Sequence, residues 1–128
     1  MNAGARVLIV DDEPMVAAAL RRQLIRRGFL VETCASAEEA LARIANGAEP
    51  LVGTVITDFQ MPGLNGLELL RELGRRAPRI VRVLLSGYSY GEAEQPASGP
   101  DFDLWVRKPW NADELASNLL RLLPKIDV

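Results

Sequence analysis

The chain is 128 residues long, 48% hydrophobic and 25% charged, a size that supports one hydrophobic core and therefore a single domain over residues 1–128. Its 15 basic and 17 acidic residues leave a formal charge of −2 with no basic block, which argues against direct binding to nucleic acid. Histidine is absent, Cys34 is the single cysteine, and the opening MNAGARVLIV is too short an apolar run for a signal peptide or membrane span, so a cytoplasmic protein working with carboxylates, hydroxyls and lysine is expected.

Arg6–Val10 is a short, nearly continuous apolar run ending in acidic residues, as in a strand buried on both faces of a parallel sheet. Asp12-Glu13-Pro14 then offers a helix cap with an early proline, and Val16, Leu20, Leu24 and Ile25 repeat at helical spacing up to Gly28. Phe29–Cys34 reads as a second strand. Ser36-Ala37-Glu38-Glu39 resembles a capping box ahead of Ala40, Leu41 and Ile44, with a stop at Asn46-Gly47. Leu51–Thr57 is a third, β-branched run, with Asp58 where it ends and a loop from Phe59 to Gly66. Leu67, Leu70 and Leu73 mark a third helix that closes between Gly74 and Pro78, and Ile80–Leu85 is a fourth strand ending at Ser86-Gly87. Gly91, Pro96, Gly99 and Pro100 make any helix before Asp101 short or irregular. Leu104–Val106 gives a brief fifth strand, and Asp113–Leu123 a last helix after a polar start at Asn111. Alternating strands and helices imply an α/β fold, a doubly wound five-stranded parallel sheet covered on both faces.

In such a fold the loops after the strands share one edge, and ligands bind where the strand order reverses. That edge collects Asp11 and Asp12, Asp58, Ser86 and Lys108. Singly, each has a plain structural explanation. Asp12 would cap a helix, Asp58 start a loop, Ser86 cap whatever follows and Lys108 be solvated, while Pro109 would shape a turn, for which a cis bond is one option. Jointly, capping accounts for neither the lysine nor the paired aspartates. Neighbouring carboxylates repel unless a cation lies among them, and hard oxygen donors without His or Cys select Mg2+. Three aspartates, Mg2+ and a lysine cancel in charge, which suits a site that receives a phosphoryl group.

VLIVDDEP at Val7–Pro14, VITDFQMPGLNG at Val55–Gly66, VLLSG at Val83–Gly87 and WVRKPW at Trp105–Trp110 resemble bacterial response-regulator receiver domains. The resemblance runs from about Arg6 to Leu123 and implies the flavodoxin-like (βα)5 fold, strand order 2-1-3-4-5, with a core over about 6–123. It implies Asp58 as phosphoacceptor, Asp12 as direct and Asp11 as water-mediated Mg2+ ligand, and the Gln60 carbonyl as a further ligand. Lys108 would pair with the phosphoryl group, the Ser86 hydroxyl would move to it, and Trp105 would be the aromatic that rotates inward in response. A core ring is the structural alternative for Trp105, and the two are compatible.

The resemblance further implies a histidine kinase or histidine phosphotransfer protein as donor, an output domain or protein downstream, and a cytoplasmic chain that catalyses only its own phosphoryl transfer and dephosphorylation. A homodimer is compatible with it. Trp105 is bulkier than the family's usual Phe or Tyr, Asn65 stands where an Asp is frequent, Gln60 and Tyr88 occupy positions that in the family influence how quickly the acyl phosphate hydrolyses, and Gly91–Asp101 departs from the family's full helix. Two rivals remain at this point. One is a pseudoreceiver that binds partners without being phosphorylated. The other is a haloacid-dehalogenase-type phosphatase, whose two aspartates lie two apart after the first strand, a spacing that Asp11-Asp12-Glu13 does not match cleanly.

Overall fold

The computed structural model describes residues 6–45, 51–87 and 101–123. In chain order these form β1 (Arg6–Val10), α1 (Pro14–Arg26), β2 (Val31–Cys34), α2 (Ala37–Ala45), β3 (Val52–Asp58), α3 (Gly66–Arg76), β4 (Val81–Ser86), β5 (Leu104–Arg107) and α4 (Ala112–Leu122). The strands make one parallel sheet in the order β2-β1-β3-β4-β5, as the resemblance implies. The expected irregular helix before Asp101 falls on residues 88–100, outside the described residues.

Side-chain alternation divides the core between the two faces of the sheet. Val7, Ile9, Ile56, Val83 and Leu85 face α1 and α4, where Leu20, Leu24, Leu115 and Leu119 close over them. Leu8, Val10, Val55 and Leu84 face α2 and α3, against Ala37, Ala40, Leu69, Leu70 and Leu73. Because both faces are covered, β1, β3 and β4 read as continuous apolar runs rather than alternating ones.

The ends of elements differ from expectation where hydrogen bonding outweighs apolar pattern. β2 begins at Val31 rather than Phe29, since Phe29 N–H donates to the Leu24 carbonyl in the turn that closes α1. Asp58 is the last residue of β3, paired with Leu85, and not the first of a loop. α2 has the expected Ser36 cap, with Glu39 N–H donating to Ser36 Oγ at 3.1 Å, but the Glu39 carboxylate accepts from Ala35 N–H instead of Ser36 N–H. α3 carries a complete capping box between Asn65 and Glu68. Asn65 therefore keeps a defined role without the charge of an aspartate.

A polar clasp closes the amino end of the sheet on the β2 side. Arg43 of α2 lies 2.9 Å from Glu32 of β2, and Arg6 of β1 lies 3.8 Å from the other oxygen of that carboxylate. The Arg43 hydrogen bond holds the Glu32 carboxyl below the usual glutamate range. A depressed carboxyl stabilises the fold above the pKa it has when unfolded, and that contribution is lost as pH falls through the folded value. Glu32→Gln should therefore cost about 0.5–1 kcal/mol at pH 7 for this partly exposed pair, with the gap to wild type closing in acid. Urea unfolding of both proteins from pH 7 down to pH 4 checks it, and a gap that widens in acid contradicts it.

Candidate phosphoacceptor site

The order β2-β1-β3 means that the chain leaves β1 in one direction and β3 in the other, opening a crevice at their carboxyl ends. Asp11 and Asp12 follow β1, and Asp58 ends β3. The carboxylates of all three lie within 4.8 Å of one another. From the next strands, Ser86 ends β4 and Lys108 follows β5, and the lysine Nζ stands 2.9 Å from Asp58 Oδ1. A cleft of about 470 Å³ opens over them, lined by Asp12, Glu13, Asp58, Phe59, Gln60, Ser86, Gly87 and Lys108. The residues singled out from sequence for phosphoryl and metal binding therefore gather in one place, with Asp11 off the cleft lining but its carboxylate within 4.8 Å of those of Asp12 and Asp58.

Their surroundings divide the labour. Asp11 is 4% exposed and accepts a hydrogen bond from Glu13 N–H at 2.9 Å. Burial pushes its carboxyl above the ordinary aspartate value, against the pull of that hydrogen bond. Asp12 is exposed. The sequence offered it as a helix cap, but the residue at the cap position of α1 is Glu13, with no side-chain cap bond, and Pro14 supplies the first helical turn. The capping explanation for Asp12 thus fails, and its carboxylate faces the cleft. Asp58 is largely buried at its side chain and paired with Lys108, and Ser86 is 1% exposed. Two further hydrogen bonds fix this edge: Lys108 N–H donates to the Ser86 carbonyl at 2.9 Å, and Phe59 N–H to the Leu85 carbonyl at 3.1 Å.

This donor set fits a hard divalent cation. It offers carboxylate oxygens with neither imidazole nor thiolate, close enough that their mutual repulsion is relieved by positive charge, and one of the three is buried at a cost to its ionised form. Gln60 is exposed at the mouth of the cleft, where its backbone belongs to the same loop.

Trp105 is half-buried, its ring packed on the α2–α3 side of the sheet beside Leu84, with which it is paired in register. Ser86, two residues beyond Leu84, belongs to the same face of its strand. The indole Nε1 is buried without a hydrogen-bond partner among the described residues. The core-ring description of Trp105 therefore holds for this conformation. Lys108-Pro109 is cis. Tyr88 lies outside the described residues.

Sequence reasoning missed the groups that hold the loop after β3. Glu38 of α2 accepts from Leu64 N–H at 3.4 Å, and Gly66 N–H donates to the Phe59 carbonyl at 2.8 Å. No local pattern signals the first, because the partners are 26 residues apart. Glu13, Phe59 and Gly87 adjoin residues that were singled out, and adjacency in sequence was the available signal for them.

The sequence model of the response regulator receiver domain matches residues 7–120, and the chain belongs to that family. It is 40% identical over 114 residues to the hydrogenase transcriptional regulatory protein HoxA of Cupriavidus necator, a match covering 87% of this chain and 22% of HoxA. A CheY-like response regulator receiver domain protein from Methanospirillum hungatei has a similar structure, with a TM-score of 0.84 and 26% identity over 98% of each chain. The response regulator TrrA of Thermotoga maritima, in complex with Mg(2+)-BeF, matches with a TM-score of 0.79 and 32% identity, covering 92% of this chain and 98% of TrrA. TrrA has also been solved in complex with the histidine kinase ThkA. The family match sets aside the phosphatase alternative. The chain spans 22% and 46% of the length of the first two curated relatives it matches, both transcriptional regulators. No described helix is long and apolar enough to cross a membrane.

Gly66 is the position where the site tolerates least. A Cβ there would lie 2.1 Å from the backbone oxygen of Asp58 and 3.1 Å from the Cα of Phe59, backbone atoms that cannot swing aside. Gly66→Ala should push the end of β3 away from α3, at about 1–3 kcal/mol or more, and weaken any binding of Mg2+ followed by tryptophan fluorescence. Urea unfolding and a Mg2+ titration read the two effects, and wild-type values in both would contradict this description of the crevice.

Proposed function

We propose that the chain is a single receiver domain in which Asp58 accepts a phosphoryl group from a phosphohistidine on a partner histidine kinase or histidine phosphotransfer protein. The observation that carries this reading is Lys108 Nζ at 2.9 Å from Asp58 inside a cluster of three aspartates, at the mouth of an open cleft. Asp11, Asp12, Asp58 and the Gln60 carbonyl would hold Mg2+, which supplies positive charge to offset that of the incoming phosphoryl oxygens.

In the transfer, an Asp58 carboxylate oxygen forms the new bond to phosphorus as the phosphorus–nitrogen bond breaks, and the electron pair returns to the imidazole. The Lys108 ammonium moves its pairing from the carboxylate to a phosphoryl oxygen, so charge is stabilised where it develops. The transfer needs positioning and electrostatics rather than a general base, which suits a chain with no histidine. Water attack on the acyl phosphate restores the carboxylate. Catalysis thus extends to the domain's own phosphorylation and dephosphorylation.

Ser86 would offer its hydroxyl to the new phosphoryl group, and Trp105, on the neighbouring strand, would repack when it does. The surface around β4 and β5 would carry the signal to an output domain or protein, or to a second copy of the chain. The complex of TrrA with the histidine kinase ThkA, and the transcriptional regulatory proteins among the relatives, support such partners. Direct contact with nucleic acid is left to such an output region, in a cytoplasmic setting.

Intact mass after incubation with Mg2+ and acetyl phosphate tests the reading. Wild type should gain one phosphoryl group, chelation of Mg2+ should prevent it, and Asp58→Asn should gain none. An unchanged wild-type mass, also with phosphorylated kinases as donors, would make the chain a pseudoreceiver.

A further inference from the structure

We infer that Gln23, on α1, is a positioning residue for Lys108, acting through the indole of Trp110. Trp110 stands two residues beyond Lys108, at the end of the turn between β5 and α4. Its Nε1–H donates to Gln23 Oε1 at 2.6 Å across 87 residues of sequence, while its ring packs against the core between the sheet and α1 and α4. A second pin lies beside the first. Arg27, the residue that caps the carboxyl end of α1, donates to Asp113 Oδ1 at 2.8 Å and to the Gln23 backbone carbonyl at 2.8 Å. The turn carrying Lys108 is thus fastened to α1 at Trp110 and again at Asp113, and to β4 by the bond from Lys108 N–H to Ser86.

α1 is also the helix that starts directly after Asp12 and Glu13. Its amino end borders the acidic side of the cleft, and Gln23 anchors the cationic side. α1 thus bears on both sides of the cleft, through Asp12 and Glu13 at its start and through the turn that carries Lys108, which stands 2.9 Å from Asp58 at the end of β3. Gln23 suits this role because its side-chain oxygen accepts from the indole, an acceptor that a glutamate would also supply. A phenylalanine at position 110 would fill the same core space but leave the turn without this bond, so the tryptophan is what makes Gln23 matter.

The inference rests on Lys108 serving Asp58, and its test separates the two. The rate of Asp58 phosphorylation by acetyl phosphate is measured at saturating Mg2+ in variants that urea unfolding shows to be folded. Gln23→Leu should slow the reaction about tenfold, in line with the cost of loosening groups that hold a reacting side chain. Gln23→Glu, which keeps the acceptor, should restore most of the rate. Trp110→Phe should slow it similarly, and the double variant no further. In a Lys108→Ala background, Gln23→Leu should change nothing, because the group it positions is gone.

A wild-type rate in Gln23→Leu, or an equal slowing with and without Lys108, overturns the inference, since a purely structural role would act regardless of the lysine. If wild type takes no phosphoryl group, the functional reading fails separately. The link is then read from the 15N shift of the Lys108 side chain, which Gln23→Leu should move and Gln23→Glu should leave near wild type. An unmoved shift in Gln23→Leu would again overturn it.

Discussion

The repulsion among three carboxylates is the constraint around which the rest of the molecule is arranged. Asp11, Asp12 and Asp58 are brought within 4.8 Å by two adjacent parallel strands whose register is fixed by a core packed on both faces. Left alone, that arrangement opposes folding. It persists because β1 and β3 are buried at the centre of the sheet, where sliding by one residue would turn Leu8, Val10 and Val55 toward the wrong helices. The hydrophobic core, in effect, holds the charges together, and the charges in turn form a donor set that fits a hard cation.

Lys108 answers part of that repulsion, and its placement shows how the two faces of the sheet cooperate. The lysine comes from the turn after β5, which is secured to α1 on one face through Trp110 and Gln23. Ser86 and Trp105 belong to the other face, against α2 and α3. Asp58 thus lies between the two faces, with the lysine reaching it from one and the serine and tryptophan on the other. The amino end of β5 is held independently, by Arg82, whose guanidinium lies against Gly74 of α3 and donates to the carbonyls of Leu70 and Asp101.

Most of this was legible in the sequence because the signals were local. Continuous apolar runs marked β1, β3 and β4, as expected for strands covered on both faces, and helical spacing of leucines marked α1, α3 and α4. The principal acidic and basic residues of the cleft were legible for a topological reason, since they follow successive strands and a doubly wound sheet brings those ends to one edge. What escaped notice depended on contacts between distant segments. Nothing local marks Gln23 as the partner of Trp110, or Glu38 as the partner of the loop at Leu64, since each is an ordinary polar residue on an amphipathic helix. The first helix starts within Asp12-Glu13-Pro14, as the sequence suggests, but no side chain caps it, because Asp11 takes the Glu13 N–H and Asp12 faces the cleft. The start of β2 was misplaced because Phe29 is apolar but its backbone closes α1.

The measurement that bears most directly on the acidic cluster is thermal unfolding of wild type and Asp12→Asn, each with and without Mg2+. Asp12 is exposed and makes no cap bond, so removing its charge should raise the midpoint of the metal-free protein by relieving repulsion. Mg2+ should raise the midpoint of wild type by binding the folded state, and do so far less in the variant. A wild-type midpoint indifferent to Mg2+, together with an Asp12→Asn protein less stable than wild type in its absence, would contradict the account: the three carboxylates would then be structural, and the cleft would not be built for a cation and a phosphoryl group.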